Sequence, residues 1–163
     1  MTAQSRIVSS LLAGVLLAAG AYAQGKRTGD DDADQKELYN YVLTMDKIQK
    51  IASATRGLEA LQKQHPEIKD ENNAKTLDET VKKFQKYPDA VAILSKNGLS
   101  PREYAVGVMT TMQAAMAVGF KKNGTYKEYP PNMLKLVSKA NLDFTEQHWD
   151  EIEKLTKMSG DDK

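Results

Sequence analysis

The sequence predicts an all-α protein, a single four- or five-helix bundle-like domain around one buried central helix at about residues 101–122. Three observations predict it. Apolar residues near both ends of the chain recur at steps of three and four, the spacing of one buried helical face. The sixteen residues 105–120 carry no charge, which is typical of a helix buried nearly all round. No segment alternates apolar and polar residues as a strand does.

Residues 1–23 have the features of a secretory signal peptide. Arg6 supplies a positive charge, an apolar run of 14 residues follows it, and Ala21 and Ala23 give the small-x-small pattern of a cleavage site. A membrane anchor is the alternative reading, but a spanning helix needs roughly 20 residues. We therefore expect cleavage before Gln24 and a periplasmic or secreted protein without membrane contact once the leader is removed.

The composition after the leader constrains the class of partner. Removing residues 1–23 leaves 140 of the 163 residues, which suits one domain. Only Arg6 among the charged residues lies in the leader, so 22 basic residues balance 22 acidic ones. This balance argues against nucleic acid, whose binding needs excess Lys and Arg. The chain has no cysteine, which argues against disulfides, thiolate metal sites and covalently attached haem.

The helical domain is predicted over 35–158, after a flexible acidic lead-in over 24–34. Apolar spacing predicts that its first helix covers about 35–64. His65-Pro66 ends this helix, because the residue before a proline resists helical geometry. The polar residues 67–75 are expected to form a loop.

Two shorter helices precede the central one. Thr76 and Glu79 have the spacing of a capping box, in which the threonine is the N-cap and the glutamate stands at N3. Pro88 suits the first position of the next helix. Asn97-Gly98 can close it, since glycine tolerates the left-handed conformation that ends many helices.

The start of the central helix is predicted by four independent cues. Ser100 is a suitable N-cap, Pro101 stands at N1 and Glu103 at N3. Leu99 and Tyr104 have the N′ and N4 positions of a hydrophobic staple. A helix beginning at Pro101 is therefore expected.

Within the central helix, small and large side chains form two parallel strips. The small strip consists of Gly107, Thr111, Ala115 and Gly119, and the large strip of Tyr104, Val108, Met112, Met116 and Phe120. Only Thr110 and Gln113 remain on a narrow polar edge. Lys121 and Lys122 suit the carbonyl end of the helix. We expect this helix to be buried on almost every side.

The C-terminal part is predicted as a connection and one more helix. The connection covers 125–137 and contains one helical turn at about 132–137. The last helix runs from the Ser138 cap to about Met158, and 159–163 form a disordered tail.

Three methionines on one side of the central helix are the candidate metal ligands. Met109, Met112 and Met116 follow at spacings of three and four. Thioethers bind Cu(I), and three sulfurs can supply a trigonal site. The alternative is that they fill irregular gaps in the core, the usual use of methionine. No cofactor is predicted.

The remaining candidates are weaker. His148 and Glu151 have metal-ligand spacing, but a bundle metal site needs Glu-x-x-His from two helices, so His148 is interpreted as a surface residue. No catalytic residue is predicted, because the chain lacks a cysteine and a glycine-flanked serine. Tyr126 and Tyr129, beside Pro130-Pro131, can line a ligand surface or fold back as a lid, and the lid is favoured.

Two parts of the chain resemble exported bacterial all-helical proteins of uncharacterised activity. They are Leu99–Tyr104 with Gln113–Met116, and Ser138–Leu155. The resemblance implies a bacterial periplasmic or secreted origin and supplies no functional residue. The resulting hypothesis is an exported, non-enzymatic binding or interaction module for an unknown protein or small ligand. A periplasmic Cu(I)-binding protein that uses the methionines is one alternative, and an enzyme of unrecognised type is the other.

Overall fold

The computed structural model of the protein describes residues 29–65, 74 and 76–157. Every regular element within these residues is a helix, which confirms the all-α prediction. The predicted signal peptide with Ala21 and Ala23, and the predicted tail over 159–163, lie outside the described residues. In the described part of the chain, no helix has the length and apolarity that crossing a bilayer requires.

Eight helices make up the described part of the chain, and one of them is central. In chain order they are α1 (Gly29–Asn40), α2 (Met45–Gln64), α3 (Leu77–Gln85), α4 (Pro88–Lys96), α5 (Pro101–Lys122), α6 (Pro131–Leu134), α7 (Lys139–Gln147) and α8 (Trp149–Lys157). Helix α5 contacts α1, α2, α3, α4 and α7, so it is the common neighbour of the bundle. Its bounds match the predicted central helix.

The predicted caps form in the structure. The Ser100 hydroxyl accepts a hydrogen bond from the Glu103 amide at 3.1 Å, and the Thr76 hydroxyl accepts one from the Glu79 amide at 3.1 Å. Ser138 caps α7 in the same way. Each hydroxyl satisfies an amide that has no partner within its own helix, which fixes where the helix begins.

The long first helix predicted from apolar spacing is two helices, so that prediction is wrong. Residues 41–44 are not helical, and the side-chain amide of Asn141 holds them. Its Oδ1 accepts from the Leu43 amide at 2.9 Å, and its Nδ2 donates to the Tyr41 carbonyl at 2.7 Å. These backbone groups are therefore satisfied without a continuous helix. Thr44 then becomes the N-cap of α2.

The prediction of a flexible lead-in is wrong for residues 29–34, which belong to α1. Asp34 is buried rather than solvated, and its Oδ2 accepts a hydrogen bond from the Leu77 amide at 2.7 Å. A carboxylate at the N-terminus of α3 is stabilised by the helix dipole as well as by this bond. The acidic composition of this segment does not reveal that Asp34 caps α3, which is a different helix.

The last predicted helix is also divided. Helix α7 ends at Gln147 and α8 begins at Trp149, with His148 between them at φ −106° and ψ 19°. This change of direction lets α8 contact α2 as well as α7. The predicted single turn before it is α6, which begins one residue earlier than expected and ends three residues earlier.

The core consists of three clusters arranged along α5. Tyr104 and Val108 meet side chains of α2, α3 and α4, and Val106 and Met109 meet Leu38 and Leu77. The third cluster joins the C-terminal half of α5 to α2, α7 and α8 through Leu43, Ile48, Ala114, Ala117, Val118, Val137, Leu142 and Ile152. Because α5 contributes side chains to all three clusters, its position is stabilised by most of the apolar burial in the described part of the chain.

The predicted polar edge of α5 is wrong at Thr110. This residue is almost completely buried, and its hydroxyl donates a hydrogen bond to the Leu38 carbonyl at 3.2 Å. A buried hydroxyl is tolerated when it has such a partner. Gln113 is half-buried rather than on an open edge.

Candidate interaction surface

The large strip of α5 emerges from the core along its length. Tyr104 and Val108 are at most 2% exposed, and Met112 is half-buried, but Met116 is 38% and Phe120 is 41% exposed. The prediction that α5 is buried nearly all round is therefore wrong for its C-terminal half. Large apolar side chains this exposed, and one turn apart, differ from the scattered exposed residues of an ordinary surface.

The position of α3 explains the change. Leu77, its first residue, clusters with Val106 and Met109, and the ring of Phe84 lies 5.6 Å from that of Tyr104 at an interplanar angle of 88°. Helix α3 thus runs antiparallel to α5 and starts level with Met109. Its side chains lie against the N-terminal half of α5, and Met116 is beyond its first residue.

Aromatic side chains from two other elements border the exposed residues. The rings of Phe120 and Tyr126 meet edge to face, with centroids 5.9 Å apart. Trp149 lies beside Gly119, where a Cβ would be 3.6 Å from Trp149 Cη2. We call Met116, Phe120, Tyr126 and Trp149 together the Phe120 surface. Its residues come from α5, the following loop and the start of α8.

A charged contact fixes the loop that carries Tyr126. Glu146 Oε1 accepts hydrogen bonds from the Tyr129 hydroxyl, at 2.6 Å, and from Lys121 Nζ. These bonds hold the pKa of Glu146 below its usual range. Burial, followed by the bond to Glu146, raises the pKa of Tyr129 well above its usual range. The loop is therefore tied to α7, and whether Tyr126 and Tyr129 meet a ligand stays a prediction.

The structure places the three candidate methionine ligands in different surroundings. Met109 is buried beside Leu38 and Leu77, and Met112 packs against the cluster around Tyr104. Met116 belongs to the Phe120 surface. Cu(I) binding by these residues stays a prediction, and the packing shows that at least two of the three side chains fill the core.

His148 lies at the junction of α7 and α8, and its ring packs against Phe144 with centroids 4.7 Å apart. Its Nδ1 is 3.8 Å from Glu151 Oε2. Among residues 29–65, 74 and 76–157, no three His, Cys, Asp or Glu side chains come together in a way that could hold a metal ion.

Two buried hydroxyl groups between α2 and α5 form the arrangement in the described interior that most resembles part of an active site. The Thr55 hydroxyl donates to the Ile51 carbonyl, so the Tyr104 hydroxyl, 2.9 Å away, donates to Thr55. Burial raises the pKa of Tyr104 to about 12 and raises the pKa of the nearby Glu59 carboxyl. Such shifts occur in active sites and equally in structural networks. Here the hydroxyl bonds join two packed helices.

Sequence reasoning missed that Phe120 and Trp149 share a surface. Phe120 was assigned to a buried strip, since nothing in the uncharged run distinguishes Val108 from Met116. The proximity of Lys122 to an aromatic ring was also unforeseen, with its Nζ 5.7 Å from the Trp149 ring. Helical periodicity identifies the apolar face of a helix, but it does not show how far along that face the neighbouring helices extend.

No protein-family model matches the chain, and neither the curated proteins nor the solved structures contain a match.

Proposed function

We propose that the protein is an exported, non-enzymatic binding module, and that the Phe120 surface is where it holds a protein partner. The observation that carries the proposal is the exposure of Met116 and Phe120 on a helix whose large apolar side chains Tyr104, Val108 and Met109 are buried. The core of an interface is enriched in aromatic residues and methionine. The features of residues 1–23 support the export part of the proposal.

The chemistry of the Phe120 surface favours one kind of partner. Met116 is flexible and polarizable, so it can adapt to an inserted apolar side chain. Phe120 and Trp149 supply the aromatic anchors that carry most binding energy in interfaces. The ammonium of Lys122 lies beside Trp149 and can pair with a carboxylate. We therefore propose a partner that inserts an apolar side chain next to an acidic residue.

Site-specific photo-cross-linking in cells that export the full chain tests this proposal. A photoreactive residue in place of Phe120 should form one discrete adduct with a second protein. The same residue in place of Val42, which is 59% exposed and does not belong to the Phe120 surface, is the control and should form none. Lys122→Glu should lower the yield of the adduct, because it reverses the charge that faces the acidic residue of the proposed partner.

Three outcomes would contradict the proposal. Equal labelling from positions 42 and 120 would make the cross-linking nonspecific. An adduct containing only two copies of this chain would make the Phe120 surface a self-association surface. A protein recovered from the cytoplasm that still begins at Met1, rather than at Gln24, would overturn export.

A further inference from the structure

Helix α1 is attached to the bundle mainly by polar contacts. Among its described side chains, Leu38 is the one apolar group buried in the core. The Asp34 carboxylate accepts from the Leu77 amide at 2.7 Å, and Gln35 Nε2 donates to the Leu136 carbonyl at 3.0 Å. Segments with few buried apolar contacts open at a lower free energy than the core of the same protein.

Arg102 forms the most hydrogen bonds of these contacts. Its Nε donates to both carboxylate oxygens of Glu37, at 3.0 and 3.2 Å, and its Nη2 donates to Glu37 Oε2 at 2.6 Å. Its Nη1 bonds to Asp78 of α3. We call Glu37, Arg102 and Asp78 the Arg102 clasp. All three side chains are more than a third exposed, so dissolved salt screens the clasp far more than it affects the core.

The surface beneath α1 has a definite chemistry. Leu38 sits on an apolar floor formed by Leu77, Ala105, Val106 and Met109, none of them more than 2% exposed in the closed protein. The Arg102 guanidinium faces Glu37 of α1, and the first backbone amide of α3 faces Asp34 of α1. This groove therefore complements a helix with the pattern Asp-x-x-Glu-Leu, which residues 34–38 carry.

The junction after α1 fixes where such a helix would pivot. The side chain of Asn141 bonds to the backbone of Tyr41 and of Leu43, so residues 41–44 are tied to α7 by contacts that do not involve α1. Since these residues are not helical, α1 can leave the groove without breaking a helix that it shares with α2. The anchored junction confines the opening to residues up to Asn40.

We propose that α1 is a releasable strap, and that the groove beneath it binds an acidic helical segment with the Asp-x-x-Glu-Leu pattern. In the closed protein α1 itself occupies the groove, and a partner segment of the same chemistry competes with it. This inference is independent of the Phe120 surface, because none of its residues belongs to that surface.

Hydrogen exchange of the full chain tests the strap. Amides of residues 33–40 should exchange about tenfold faster than those of 104–111, which reflects opening of α1 alone. In about 1 M salt the α1 amides should exchange a further threefold or so faster, with no change in α5, because salt screens the Arg102 clasp. Equal exchange in the two helices, or an α1 that does not respond to salt, would overturn the proposal.

A pair of charge variants isolates the Arg102 clasp. Glu37→Gln should accelerate exchange in α1 roughly threefold or more without changing α5, because Arg102 loses its paired charge. Asp46→Asn is the matched control, since it breaks the exposed Asp46–Lys50 pair on α2. If Glu37→Gln accelerates α5 by the same factor as α1, then α1 unfolds only with the bundle and the strap does not exist.

A peptide supplied in trans tests the groove. The full chain carrying Leu38→Ala, whose own strap is weakened, is titrated with a synthetic peptide of residues 29–40 while the methyl resonances of Ala105, Val106 and Met109 are followed. The native peptide should shift them saturably, and the same peptide with Leu38→Ala should not. Absence of shifts, or a Leu38→Ala chain that has lost its folded spectrum, would overturn the proposal.

Discussion

Residues 104–111 of α5 are buried at every position, whereas residues 112–122 alternate between buried, half-buried and exposed positions. The two halves have similar uncharged sequences up to Phe120, so composition does not separate them. They differ because α3 starts level with Met109 and packs toward Tyr104. A neighbouring helix therefore decides which half of a uniformly apolar helix becomes core and which becomes surface.

The largest expected effect compares an aromatic residue in each half. Tyr104→Ala should lower the free energy of unfolding by about 3–5 kcal/mol, because it empties a fully buried site. Phe120→Ala should cost only about 1 kcal/mol or less, because that ring is already partly in solvent. Urea unfolding followed by circular dichroism measures both. Similar losses in the two variants would show that Phe120 is as much a core residue as Tyr104.

Alkaline pH provides a second comparison, because burial raises the pKa of Tyr104 to about 12. An unfolded tyrosine loses its proton near pH 10, whereas the folded one keeps it, so the stabilisation is complete below pH 10 and is lost between pH 10 and 12. Tyr41, whose pKa burial and then Glu103 raise to about 12, acts in the same direction. The contribution of Tyr104 should reach about 1.4 kcal/mol per pH unit.

The measurement is urea unfolding of the native chain and of Tyr104→Phe at several pH values. The variant should lose stability less steeply than the native chain between pH 10 and 12, since it lacks one of the tyrosine hydroxyls whose pKa is raised by folding. Its stability near neutral pH should be lower by about 1 kcal/mol, because the bond to Thr55 is gone. Parallel pH profiles of stability for the native chain and Tyr104→Phe would contradict the raised pKa of Tyr104.

The two glycines of α5 should respond to alanine with opposite signs. At Gly107 a Cβ would lie 2.6 Å from Ile51 Cδ1 and 3.0 Å from the Tyr41 hydroxyl oxygen, so Gly107→Ala should destabilise by about 1–3 kcal/mol. At Gly119 the nearest atom, on Trp149, is 3.6 Å away. Gly119→Ala should therefore stabilise by roughly 0.5–1 kcal/mol through helix propensity. Thermal unfolding of both variants provides the comparison, and a common sign would refute it.

The last comparison concerns the methionines that span the two halves. Replacing Met109, Met112 and Met116 together by leucine should change the unfolding free energy by less than about 1.5 kcal/mol, because the volumes are similar. Cu(I) titration of the native chain and this variant should give the same weak response. Tight binding by the native chain that disappears in the variant would establish the methionines as ligands.

The sequence was sufficient where local chemistry decides the structure. The start of α5 followed from Ser100, Pro101 and Glu103, and the starts of α3 and α7 from Thr76 and Ser138, because a cap acts within one turn. The fold class followed from helical spacing over long segments. Each of these features depends on residues that are near neighbours in the chain.

The features that were missed depend on partners far away in the sequence. The break after α1 is made by Asn141, about 100 residues later, while Tyr41 and Val42 themselves continue the apolar spacing of a helix. Residues 29–34 of α1 were predicted as a flexible lead-in because this part of the helix docks through the Asp34 carboxylate rather than through an apolar face. Of the candidate site, Tyr126 was predicted to line a ligand surface or to fold back as a lid, but its position beside Phe120 is a consequence of tertiary packing.

The bridge from Asn141 to the backbone of Tyr41 and Leu43 ties the order of assembly to the direction in which the chain is delivered. A chain released N-terminus first, from a ribosome or a translocation channel, cannot complete this bridge until residue 141 has emerged. Until then α1 and α2 lack a fixed junction, and contacts spanning such sequence distances are slow to close. The contact between Asn141 and residues 41–43 is thus made late in folding, and a chain that stops before residue 141 cannot make it.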